Sequence, residues 1–150
     1  MQFLPIKINK YLLLAILVLA LLGLGDAIFL TIKYYVGNIN CSLWSGCQEV
    51  LKSSYATMFG VPLAIFGVAY YLFILFSALA YLQTNKNIFA NILAFVPSFG
   101  FLFSLYLIYL QLVVIKYICI YCMLSALSST LIFILSLIIF WQYKKIPPLS

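Results

Sequence analysis

The sequence predicts an all-α polytopic membrane protein: a bundle of four transmembrane helices with one extracytoplasmic loop bearing a short interfacial helix. Three observations predict it. Hydrophobic residues make up 67% of the 150 residues and charged residues 7%, with a mean hydropathy of +1.23, whereas a soluble domain is nearer half apolar. The apolar residues fall into four runs, each long enough to cross a bilayer, which takes roughly 20 residues. Polar and turn-forming residues gather in a single sizeable stretch between Lys33 and Thr57. The expected organisation is one membrane domain over residues 1–150, with spans at about 11–32, 58–82, 88–115 and 119–141.

The head, Met1 to Lys10, carries Lys7 and Lys10 and leads into the first span, Tyr11 to Ile32. That run exceeds the ~7 to 15 apolar residues of a signal peptide, so it reads as an uncleaved helix. Its small residues Gly23, Gly25 and Ala27 are suited to close approach by a neighbouring helix. Asp26 is the one acid within a span. Lying seven residues before Lys33, it reads as a carboxyl near the interface, protonated or hydrogen-bonded to a neighbour's hydroxyl.

The loop holds Cys41 and Cys47, with Ser45-Gly46 to bend the chain between them and Leu43-Trp44 to lie on the membrane surface. Gln48 to Lys52 reads as the interfacial helix, dipping Val50 and Leu51 into the apolar layer. The second span, Met58 to Leu82, has Gly60 and Pro62 in its first turns, where a missing N–H costs little. Gln83 to Asn87 form a hinge into the third span, Ile88 to Ile115, where Pro97 and Gly100 should kink the helix and free a carbonyl near Leu93. Lys116 to Ile118 then connect to the fourth, which opens on Cys119-Ile120-Tyr121-Cys122 and ends at Trp141 before the anchor Gln142 to Lys145 and Pro147-Pro148.

Four spans put the first loop and the start of the fourth helix on one side, so all four cysteines face one compartment. Lys7, Lys10, Lys86, Lys144 and Lys145 flank the other side, against Lys33, Lys52 and Lys116 on the cysteine side. The positive-inside rule therefore places the cysteines outside the cell membrane and both termini in the cytoplasm. The net charge of +6 comes from these lysines beside apolar runs, with no basic groove or stripe, which argues against a nucleic-acid partner.

The chemistry lies in the thiols. A C-x-x-C at a helix start sets Cys119 and Cys122 one turn apart on one face, close enough to exchange dithiol for disulfide. The unpaired N–H groups and dipole of that terminus favour a thiolate there. Three readings are open: a relay from Cys41 and Cys47 to Cys119 and Cys122 by thiol–disulfide exchange, two structural disulfides, or a four-thiolate zinc site. The last suffers from five residues between Cys41 and Cys47, against the usual two to four. No histidine is present, so His-ligated haem, a His base and 2-His-1-carboxylate iron are excluded. Asp26 and Glu49, the two acids, hardly make a carboxylate pair, and one charge within the spans argues against a transporter. A thiol pair at the membrane needs a two-electron acceptor, for which a lipid-soluble quinone is suited, reaching Cys122 from within the bundle.

The order Cys-x5-Cys, then V-L-K-S-S-Y-A-T-M-F-G-V-P-L-A-I-F-G from Val50 to Gly67, then C-x-x-C opening the last helix, resembles the bacterial and archaeal branch of the vitamin K epoxide reductase family. Disulfide bond formation protein B carries its C-x-x-C in the first loop, the reverse order. The resemblance implies a four-helix bundle around a quinone of ubiquinone or menaquinone type. It further implies that Cys41 forms the mixed disulfide with a thioredoxin-like extracytoplasmic partner, Cys47 attacks Cys119, and Cys122 meets the quinone. Ser53 matches the family's loop serine, which supports the active site by hydrogen bonding; from the residues alone it reads equally as the cap of span two. Ala126 stands where epoxide-reducing animal enzymes carry a tyrosine, which argues against an epoxide substrate. No thioredoxin-like domain is fused within these residues, so the implied partner is a separate protein. The expectation is a quinone-dependent thiol–disulfide oxidoreductase supporting disulfide formation in exported proteins. The alternative is a non-enzymatic membrane subunit with structural disulfides or zinc.

Overall fold

The computed structural model describes residues 8–37 and 46–145. Cys41, the surface-lying Leu43 and Trp44, Lys7 and Pro147-Pro148 lie outside the described residues. Helix α1 spans Lys10–Val36, where Asn9 caps the start by accepting the Tyr11 N–H on its side chain. It runs one turn beyond the expected Ile32, because Tyr34, Tyr35 and Val36 extend the apolar run. It stops at Gly37, which takes the left-handed φ of +70° and donates its N–H to the Lys33 carbonyl.

Helix α2 is short, Gly46–Lys52, and starts two residues earlier than the sequence suggests. A single 3₁₀ turn, Ser54–Ala56, leads to strands β1 (Thr57–Met58) and β2 (Val61–Pro62), paired antiparallel with Met58 opposite Val61. Here the expected start of the second span at Met58 is corrected. Phe59 and Gly60 both have positive φ, +53° and +79°, the geometry of a two-residue type I′ hairpin turn, which no helix can incorporate. Helix α3 therefore begins only at Leu63, after Pro62, and runs to Thr84.

Asn85, again left-handed, ends α3, and Lys86 precedes α4 at Asn87–Tyr109. Pro97 is buried inside α4, which stays helical on both sides of it. The end of the third span is not α-helical as expected: Leu110–Ile115 form a wider π turn. Lys116, at φ +61°, then breaks the backbone, and α5 covers Ile120–Lys144.

Among the described residues, four segments are long and apolar enough to cross a membrane: Lys10–Val36, Leu63–Thr84, Asn87–Ile115 and Ile120–Gln142. Helix α1 packs on α3 and α5, and α4 on α3 and α5, which closes a four-helix ring. The ring's core contains Leu13, Ile16, Ile74, Leu93, Ile132 and Ile139, while Leu22, Phe76, Phe99 and Trp141 point outward, as residues facing lipid do. Small residues set the α1–α3 distance. The Tyr71 ring lies directly on Gly23, and Gly67 faces Ala27, whereas Gly25 meets nothing and faces outward. Asp26 differs from its expected place. It lies ten residues inside the end of α1, about 15 Å along the axis, and its Oδ2 is buried without a hydrogen-bond partner.

Candidate active site

A second, smaller core sits at the end of the bundle where α1 stops and α5 starts, built from Leu30, Cys47, Val50 and Cys119. Helix α2 brings Cys47 to it. Gly46 makes the approach close: any side chain there would strike the carbonyl of Ile118. Ser45, half of the expected bend, lies outside the described residues; Gly46 is the first residue of α2 and serves as a contact surface. Cys47 and Cys119 are both fully buried, and their sulfurs lie 2.7 Å apart. Covalent S–S bonds are shorter, ~2.05 Å, and the three described cysteines are free thiols.

Cys119 caps α5 with extended backbone, φ −96° and ψ 117°, and its carbonyl accepts the Met123 N–H. Cys122 follows one turn on, so the C-x-x-C pair shares a face. The backbone N–H of Cys119 donates to Gln111 Oε1 at 3.0 Å, and Gln111 is itself buried. Sequence reasoning missed this residue, although a lone amide late in an apolar span was the available signal. The Tyr121 ring packs tilted against Phe29 of α1, centroids 4.8 Å apart, bracing the C-x-x-C turn against the first helix.

The thiolate expected at the start of α5 is opposed at Cys119 by its surroundings, and the Cys47 thiol against it is raised as well. Burial pushes the Cys47 thiol up to about 11, and the neighbouring Cys119 sulfur adds to this, against weaker opposition from the N–H groups of Tyr121 and Ile120. Cys119 is also raised, first by its hydrogen bond to Cys122 and then by burial. Desolvation of an anion outweighs a few peptide dipoles.

Beneath the thiols, an apolar cavity of about 110 Å³ opens between the helices. A water needs only ~10–15 Å³ by the same measure, so there is room for a planar ring. Cys122 lines it, as do Ser53, Tyr55, Gln111, Tyr70 and Ser129. Ser53 donates its Oγ to the Val50 carbonyl at 2.7 Å, closing the end of α2. It precedes the 3₁₀ turn rather than α3, so it is no cap of the second span. Of the residues singled out from sequence, the structure thus brings together Cys47, Cys119, Cys122 and Ser53.

A buried cluster of thiols above an apolar cavity, inside a four-helix membrane bundle, defines a multi-pass membrane protein equipped for thiol–disulfide chemistry. The profile of the Vitamin K epoxide reductase family matches residues 14–137, and the chain belongs to that family. It is accordingly a membrane oxidoreductase. No match was found among curated proteins.

Proposed function

We propose that the protein relays electrons from a reduced thioredoxin-like partner to a membrane quinone, supporting disulfide formation in exported proteins. The observation that carries this reading is the buried contact of Cys47 with Cys119, 2.7 Å between sulfurs, with Cys122 next to it on the wall of the cavity. One sulfur at the centre thus comes from α2 after the loop, one from the helix cap, and a third faces an apolar space.

The steps follow from thiol–disulfide exchange. A partner thiolate attacks Cys41 of a Cys41–Cys47 disulfide, and the partner's second thiol resolves the mixed disulfide, leaving the loop reduced. Cys47 attacks Cys119 of a Cys119–Cys122 disulfide, and Cys122 leaves as the thiolate. Cys41 then attacks Cys47, re-forming the loop disulfide and freeing Cys119. The Cys119–Cys122 dithiol closes to a disulfide by giving up two electrons and two protons, and Cys122 is the exit. A quinone bound in the cavity supplies the two-electron acceptor. The cavity fits such a ring: its wall is mostly apolar, yet it contains buried hydroxyls without hydrogen-bond partners. Ser53, bonded to Val50, holds the end of α2 and through it Cys47.

The test is quinone reduction by the purified protein in detergent, with a reduced thioredoxin-like protein as donor, alongside each Cys→Ala variant. Each variant should lose partner-driven turnover, and Cys47→Ala given the oxidised partner should accumulate a partner-linked species, the Cys41 thiolate opening the partner's disulfide with no Cys47 to resolve the product. Turnover surviving in Cys119→Ala or Cys122→Ala would sink the relay.

A further inference from the structure

The thiols occupy one end of the cavity, and two hydroxyls mark the other. Cys122, Ser125 and Ser129 all line the cavity from α5. Ser129 is seven residues beyond Cys122, about 10 Å deeper into the bundle. Its side chain is 97% buried, yet its Oγ has no hydrogen-bond partner. Five other helix hydroxyls are satisfied within their own helix. Thr31, Ser77, Thr84 and Thr130 all donate to the carbonyl four residues back, and Ser136 to that of Phe133, the usual solution for hydroxyls in apolar helices.

Ser129 is denied that solution by a specific contact. The carbonyl four residues before it belongs to Ser125, and the Tyr71 hydroxyl already donates to it at 2.7 Å. Tyr71 is held in place from behind, its ring seated on Gly23 of α1. Beside Ser129 stands the Tyr70 hydroxyl, also buried; the two hydroxyls face each other near hydrogen-bonding range, and neither has a partner elsewhere in the protein. Gly100 of α4 makes room for the tip of that tyrosine, which any larger residue would displace. Four helices, α1, α3, α4 and α5, therefore cooperate to hold a pair of hydroxyls on the cavity wall with no partner outside the pair. A buried polar group left without a partner is costly, so a ligand that accepts hydrogen bonds from the pair would recover part of that cost.

We propose that Tyr70 and Ser129 form the distal subsite of the cavity, donating hydrogen bonds to the carbonyl oxygen of a 1,4-quinone that faces away from Cys122. This rests on the quinone reading above. The hydroxyls act as hydrogen-bond donors and not as acids, since the Cys119–Cys122 dithiol brings both protons that the reduction consumes. Their contribution is to fix the ring's depth and to draw electron density toward the far oxygen, away from the carbons nearest the sulfur.

The experiment uses fully oxidised protein in detergent, which has no electrons to give, so that only binding is read. The probe is a short-tailed benzoquinone with ¹³C-labelled carbonyls. Affinity is measured by calorimetry and the carbonyl stretches by infrared difference spectroscopy, for the wild type, Tyr70→Phe, Ser129→Ala and the double variant. Each single variant should bind roughly two- to tenfold more weakly, the worth of one neutral hydrogen bond. Wild type should show one carbonyl stretch shifted down relative to the other, and the double variant should lose that shift. Ser129→Ala removes a buried orphan at a helical position suited to alanine, so it serves as the reporter if Tyr70→Phe fails to fold. Unchanged affinity and an unchanged carbonyl spectrum in Ser129→Ala and the double variant would overturn the subsite alone. Absence of quinone binding by wild type would overturn the quinone reading itself.

Discussion

At Cys47 two influences compete, and burial prevails: the thiol is pushed up to about 11 despite the N–H groups of α5 beside it. The raised value means that the thiolate is scarce at neutral pH and grows as pH rises toward 11. A variant keeping Cys47 as its sole cysteine loses the Cys119 contribution but keeps the burial, so ultraviolet titration should place it above the ordinary ~8.5. A midpoint at or below that value would mean that the helix terminus dominates. Gln111 offers a second test. Gln111→Leu leaves the Cys119 N–H buried and unpaired, a loss of roughly 1–3 kcal/mol that should appear as a lower melting temperature in detergent. Transfer from Cys47 to Cys119 should slow with it. The cysteines themselves were legible from their spacing, whereas Gln111 was not, because its bond to residue 119 exists only once the π turn has rotated it inward.

Among the elements, α2 approaches its neighbour through backbone, which cannot swing aside as a side chain can. Gly46 touches the Ile118 carbonyl, and Gly25 touches nothing. Gly46→Ala should therefore suppress formation of a Cys47–Cys119 cross-link in a variant lacking Cys41 and Cys122, while Gly25→Ala should leave it unchanged; non-reducing electrophoresis reads both. The helical spans were legible as long apolar runs, but the hairpin before α3 was not. Met58 to Pro62 is as apolar as the helix that follows, and only the positive φ of Phe59 and Gly60 separates them. Gly23, Gly25 and Ala27 looked alike in sequence, and the packing of α3 selected Gly23 and Ala27 as contacts. Asp26 lies deeper than its spacing from Lys33 suggested, because α1 continues past that lysine to Val36.

At the scale of the whole molecule, the four spans among the described residues place Cys47, Cys119 and Cys122 together at one end whichever way the bundle inserts. We propose that this end faces outward, as the lysine bias of five to three favours. A fluorescent protein fused after Ser150 should accordingly fold and fluoresce, whereas an alkaline phosphatase fused there should stay inactive. The reverse pattern would mean that the thiols face the cytoplasm and would remove the link to exported proteins.

The amino-acid sequence by itself determined the membrane class, the helical architecture and the reactive side chains. Length and hydropathy decide spanning helices wherever water is absent to bond the backbone, and no other residue type here offers redox chemistry. Tertiary structure alone decided which sulfurs touch, which way their protonation shifts, and where the cavity lies. Those depend on contacts between residues as distant as 47 and 119, or 71 and 125. Such contacts arise from helix packing and close approach at single glycines, and they leave no local pattern to read.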